Sequence, residues 1–173
     1  KALDYGISKS KFDWLLFTDV DCRLNKYWSL EISKNFNKSN YIIGFSEVEE
    51  SKTIASKFQH IDFKMLMVAN FSSAALGFPL ACIGQNQAYS KKIFKQNKGF
   101  SKIKNLLQGD DSIFMHLCMK NKNCKVSYSA HKNSYVLAKT HLSWKSLIMQ
   151  RIRWAGDANI MWRYNKLLYI ISL

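Results

Sequence analysis

Residues 65–90 run for 26 positions without a charged side chain, and whatever they form limits the rest of the chain. The length would cross a bilayer, since a membrane helix needs about 20 apolar residues. The composition argues against it. Asn70, Ser72, Ser73 and Gly77 interrupt the run, and Pro79 breaks a helix near its middle. The pattern therefore predicts a helix to about Ala75, a turn at Gly77-Phe78-Pro79 and a strand through Ile83, with at most a partly membrane-facing helix.

The flanking sequence alternates the same two periodicities. Residues 12–18 (FDWLLFT) and 41–45 (YIIGF) are short apolar runs of the kind that form buried strands. After the first, Asn25 is placed to cap a helix in which Trp28, Ile32 and Phe36 recur at helical spacing. Residues 111–120 carry Ile113, Phe114, Leu117 and Cys118 on one helical face. Residues 125–128 and 135–138 read as short strands. Ser143 is an N-cap for a long helix with Trp144, Leu147, Ile148, Arg151, Trp154 and Ala155 on one side. Alternating strands and helices give an α/β class with a mixed sheet flanked by helices. At 173 residues with one proline and no linker-like stretch, a single domain is expected.

A net charge of +14 points towards anionic partners or a solvated basic face. Nine lysines and two acids occupy residues 91–125, interleaved with Asn and Gln. That mixture reads first as solvated surface, then as a surface for anionic lipid. No nucleic-acid motif accompanies it, so no nucleic-acid partner is expected. The four cysteines include no CxxC pair and the four histidines are scattered. Reduced thiols and no zinc site follow.

Three constellations carry chemistry. Asp19-Val20-Asp21 follows the first predicted strand, where open α/β sheets bind ligands. Its two carboxylates are expected to turn to one side and meet a hard cation, Mg²⁺ or Mn²⁺, which also holds diphosphate. Gly109-Asp110-Asp111 precedes a helix. An acid there caps the helix, and one of the two can also serve as a general base. Gln150-Arg151-Ile152-Arg153-Trp154 lies inside the last helix. Arginine forks suit diphosphate oxygens and tryptophan offers a platform for a sugar ring, although a helix that packs Trp154 and snorkels its arginines has the same composition.

In this order the three constellations resemble the inverting family-2 glycosyltransferases with the GT-A fold, in particular the membrane-associated branch that includes cellulose, chitin and hyaluronan synthases. The segments that carry the likeness are KALDYGI, FTDVDC, ACIGQNQAYSKKIF, GDDSIFM and SWKSLIMQRIRWAG. The resemblance covers nearly all of residues 1–165 and implies the C-terminal part of a GT-A, Rossmann-like catalytic domain. The upstream half that binds the nucleoside is expected to precede Lys1. Residues 166–173 are expected to begin a membrane helix.

The resemblance also implies roles. Asp21 ligates the metal, with Asp19 facing the metal or the nucleotide. Asp111 is the catalytic base, next to Asp110 on the donor side. Arg153 and Arg151 hold the donor diphosphate, Lys1 lies near the nucleotide, and Asn86 lines the donor sugar. Gln150 and Trp154 lie near the acceptor. The implied reaction moves a sugar with inversion from a nucleotide-sugar donor, a UDP-sugar by expectation, to a saccharide or lipid-linked hydroxyl. Its expected place is the cytoplasmic face of a membrane, a bacterial inner membrane by expectation. The rival class is a basic membrane- or nucleic-acid-binding module in which the same acids are loop and cap residues.

Overall fold

The computed structural model describes residues 2–106, 109–161, 163 and 166. It opens with α1 (Ala2–Lys9), β1 (Trp14–Phe17), β2 (Arg23–Leu24), α2 (Trp28–Ser33), β3 (Tyr41–Gly44) and β4 (Ser46–Val48). There follow α3 (Ile54–Ala75), β5 (Gln87–Ser90), α4 (Lys91–Gln96), α5 (Ser112–Met119), β6 (Val126–Ser129), β7 (Val136–Ala138) and α6 (Trp144–Met161). The class is the mixed α/β arrangement that the sequence predicts.

The strands form two sheets. The larger has the order β1-β5-β3-β6, the smaller β2-β7-β4. In the larger sheet β5 runs antiparallel to both β1 and β3, while β3 and β6 are parallel. Thus β1, β3 and β6 share one direction and present their C-terminal ends along one edge. Three stretches of chain cross from the larger sheet to the smaller at that edge. The first is the loop from β1 to β2, which holds Asp19 and Asp21. The second is Phe45, between β3 and β4. The third joins β6 to β7.

Tyr41, Ile42 and Ile43 of the central strand β3 are fully buried. Ile43 joins Tyr89, Ile93 and Phe114 on one face of the larger sheet. Ile42 joins Trp28, Ile32 and Ala88 on the other. The alternation of β3 thus feeds two cores, each such side chain contributing about 1.5–3 kcal/mol by leaving water.

Capping explains the helix starts. Thr53 Oγ1 accepts from Ser56 N–H at 3.2 Å ahead of α3, and Ser143 Oγ accepts from Ser146 N–H at 3.3 Å ahead of α6. Asn25 accepts from Tyr27 N–H at 2.9 Å, so it forms the turn that leads into α2 while Tyr27 occupies the cap position.

The strand expected through Ile83 does not form. Residues 80–83 pair with no neighbouring strand, and side chains meet several of their backbone groups instead. Leu80 N–H donates to Ser73 Oγ, Leu80 C=O accepts from His116 Nε2, and Cys82 bonds at both its N–H and C=O to Ser112 Oγ. The strand follows instead at Gln87–Ser90, after a short 3₁₀ turn at Gly84–Asn86. No helix among the described residues is long and apolar enough to cross a membrane; α3, which takes up the first part of the uncharged run, ends at Ala75.

Candidate functional site

The β1–β2 loop leaves the strand at Phe17, so a turn rather than strand alternation brings its two acids together. Cys22 N–H closes that turn onto Asp19 C=O at 3.1 Å. Ligand atoms of Asp19, Asp21 and Cys22 lie within 4.8 Å of one another. Two carboxylates at this spacing suit a hard divalent cation. The Cys22 thiol is pushed up to about 11 by its partial burial and by the charges of Asp19 and Asp21, which keeps it protonated near neutrality.

Asp19 is the electrostatic centre of the site. Its pKa lies above the ordinary carboxylate value because it is partly withdrawn from water, and because the negative charges of Asp21 and Asp110 reach it; Arg153 acts in the opposite sense. The charges of the GDD loop and of α6 therefore both act on the Asp19 carboxylate.

The GDD loop is held from three directions. Gly109 adopts φ +122°, a conformation that side chains rarely accept, and a Cβ there would sit 3.0 Å from Ile113 Cδ1. Phe114 N–H donates to Gly109 C=O at 2.9 Å. Gln87 Nε2 donates to Asp110 C=O at 3.1 Å, and Gln87 Oε1 accepts from the buried Tyr41 hydroxyl at 2.5 Å. Asp111 caps α5 by accepting from Ser112 N–H at 2.6 Å, and its Oδ2 lies 3.8 Å from where a Cβ on Gly84 would be. The cap and the approach to the 84–86 turn thus involve the same carboxylate. Sequence inspection passed over Gln87, Ser112 and Cys22. The signal for the last two was adjacency, since each directly follows a named acid.

The residues of α6 divide by direction. Arg151 pairs with Asp62 of α3, its guanidinium lying 4.5 Å over the Trp154 ring. Trp154 packs near Phe63, with ring centroids 6.3 Å apart. Gln150 Oε1 accepts from Gln59 Nε2 at 3.4 Å. Gln59, itself buried, also accepts from His141 N–H at 2.8 Å and Thr140 Oγ1 at 3.1 Å. These contacts fasten α6 to α3. Arg153, two residues beyond Arg151 and so about 200° around the helix, is exposed and senses Asp19.

Asn86 is placed in the interior. It is 0% exposed; its Oδ1 accepts from Trp28 Nε1 at 3.1 Å, and its Nδ2 donates to Phe45 C=O at 2.7 Å and Ser134 C=O at 2.9 Å. Phe45 and Ser134 belong to two of the three crossings between sheets, so Asn86 ties them together. Lys1 lies outside the described residues, as do most of residues 166–173.

The model of glycosyl transferase family 21 matches residues 2–172. The chain belongs to glycosyl transferase family 21. No curated protein matches it. The glycosyltransferase assignment drawn from the three constellations agrees with this match, which fixes the family as 21; the likeness to the family-2 branch is a finer statement. Membership of family 21 brings a sugar donor and an acceptor in general terms, and it covers the loop of Asp19 and Asp21, the GDD loop and α6 alike.

Proposed function

We propose that this family 21 chain transfers a sugar from a nucleotide-sugar donor, a UDP-sugar in the first instance, to a hydroxyl of a saccharide or lipid-linked acceptor, with inversion. The observation that carries the proposal is the Asp19–Asp21 pair, whose ligand atoms lie within 4.8 Å of one another, with the charges of Asp110 and Arg153 also acting on Asp19. Two acids and one exposed arginine around a third acid are what a cation and a diphosphate together require.

Asp19 and Asp21 are the residues that would hold Mg²⁺ or Mn²⁺, which when bound supplies positive charge for the leaving diphosphate. Arg153 binds the diphosphate and stabilises the charge that develops on it. Asp111 accepts the proton of the acceptor hydroxyl as that oxygen bonds to the anomeric carbon. The bond from that carbon to the diphosphate oxygen breaks in the same displacement, so the configuration inverts without a covalent enzyme intermediate. Asn86, Gln150, Arg151 and Trp154 act in this scheme as positioning residues, because their polar atoms or rings are engaged with Phe45, Ser134, Gln59, Asp62 and Phe63. The likeness to the family-2 synthases supports a polysaccharide or lipid-linked product and a place on the cytoplasmic face of a membrane.

Nucleotide release from a panel of UDP-, GDP- and dTDP-sugars, in membranes holding the complete gene product with Mg²⁺ or Mn²⁺, tests the proposal. Metal-dependent release from one donor, lost in Asp111→Asn, is the expected result. Release that survives Asp111→Asn removes Asp111 as the base. No release from any donor with folded protein, across saccharide and lipid acceptors, overturns the reaction.

A further inference from the structure

α3 is apolar on two sides. Phe63 and Met67 are buried with Phe45 and Val48. On the other side Ile54, Phe58, Ile61 and Met65 stand 75, 50, 61 and 68% exposed. Their steps of four and three residues place them on one stripe, about 16 Å long at 1.5 Å per residue. α6 continues it with Trp144, Ile148 and Ile152, spaced by four residues and all exposed. The Trp144 and Phe58 rings lie 5.4 Å apart, so the two stripes join into one face. A contiguous exposed apolar face of this kind marks an interaction surface.

The charges beside the face choose its occupant. Lys57 and Lys64 are the exposed basic residues within this part of α3, and Lys145 stands beside Trp144 at the start of α6. Asp62, the one acid of α3, is engaged by Arg151. A second copy docking through the same face would set these lysines against their equivalents, in a chain already at +14. An anionic lipid surface neutralises them, and an exposed tryptophan suits the boundary between headgroups and acyl chains.

We infer that the joined α3–α6 face lies flat in the headgroup–acyl boundary of an anionic bilayer, apolar stripes inward and lysines at the headgroups. The inference deepens the membrane placement proposed above and rests on it. It gives α6 two working directions. Trp144, Ile148 and Ile152 face lipid, while Arg153, one position past the stripe, turns about 100° away towards Asp19.

The test is flotation of the full chain with vesicles of phosphatidylcholine, alone or with a minority of phosphatidylglycerol, at near-physiological salt. The expected result is binding that prefers the anionic vesicles. It falls about tenfold or more in the triple variant Ile61→Ser, Met65→Ser, Ile148→Ser, whose fold is checked by circular dichroism. Lys57→Ala, Lys64→Ala and Lys145→Ala together remove the anionic preference.

A second measurement needs no surface serine. Brominated acyl chains quench the tryptophan emission of the unaltered chain, and Trp144→Phe removes most of that quenching. A triple variant that floats like the unaltered chain, or quenching unchanged by Trp144→Phe, overturns the inference while leaving the membrane placement standing. Failure of the unaltered chain to float on either vesicle overturns both. A lipid-free dimer that the triple variant dissolves assigns the face to a second copy and overturns the lipid assignment.

Discussion

Ser112 holds Cys82 at both polar ends of its backbone: the hydroxyl donates to Cys82 C=O at 2.9 Å and accepts from Cys82 N–H at 3.0 Å. One side chain thereby does for residues 80–83 what a strand neighbour would do, and it sits directly after the proposed base. Ser112→Ala leaves both groups of Cys82 without that partner, at a cost of about 1–3 kcal/mol each. A lower urea midpoint is expected, with nucleotide release reduced more than the stability loss explains, because the segment around Cys82 loses its tie to the start of α5 while Asp111 keeps its cap on the residue-112 backbone N–H. Ser112→Thr, which keeps the hydroxyl, restores most of both.

Gly44 and Asn86 are a second coupled pair. A Cβ on Gly44 would fall 2.2 Å from Asn86 Cγ, and the Asn86 side chain is fixed by three hydrogen bonds. Gly44→Ala is expected to cost at least the upper part of the 1–3 kcal/mol typical of overpacking. Asn86→Asp replaces the donor that faces Phe45 C=O and Ser134 C=O with a carboxylate oxygen, and about 3 kcal/mol or more is expected. Thermal melts of the two variants check both values.

His116 predicts a pH dependence. Burial lowers its pKa below the ordinary value, against the Leu80 carbonyl that accepts from Nε2 at 2.6 Å. The unfolded chain takes up this proton near pH 6.5 and the folded chain only at lower pH. Between the two the unfolded state binds more protons, so stability is fully present above about pH 6.5 and falls as the pH drops towards the folded value. Urea midpoints measured from about pH 7.5 down to 5 should show this slope, and His116→Gln should remove its share.

The acidic loop predicts a cation effect. The negative charge of Asp21 acts unfavourably on the Asp19 carboxylate, and their ligand atoms lie within 4.8 Å of one another. Mn²⁺ at a hundred times its dissociation constant would stabilise the folded chain by about 2.7 kcal/mol, seen as a rise in melting temperature. Asp21→Asn should abolish the rise and, without metal, leave the chain as stable or slightly more so.

The elements were legible where periodicity was strong. β1 and β3, the end of α3 at Ala75 and the Ser143 cap of α6 follow from runs, spacing and capping residues. The stretch 80–83 resisted, because an apolar run next to proline looks the same whether its backbone bonds to a strand or to Ser73, Ser112 and His116. In the site, residue type located Asp19, Asp21, Asp110 and Arg153, but not direction. Arg151 and Arg153 are alike in sequence, and only the helical turn pairs one with Asp62 and leaves the other exposed, its charge acting on Asp19. Asn86 entered through the resemblance alone, as a residue lining the donor sugar; that it lies at the seam between two sheets depends on contacts with Trp28, Phe45 and Ser134 far away in the chain.

That seam bears on how the molecule can move. The chain passes from one sheet to the other at Phe45 and again between β6 and β7, and Asn86 bolts these two passages together with Val136 N–H on Phe45 C=O beside it. Two sheets sewn at neighbouring points cannot hinge open as separate jaws. Any closing around a donor must then come from what hangs off the seam, the loop of Asp19 and Asp21, moving against a floor that stays still.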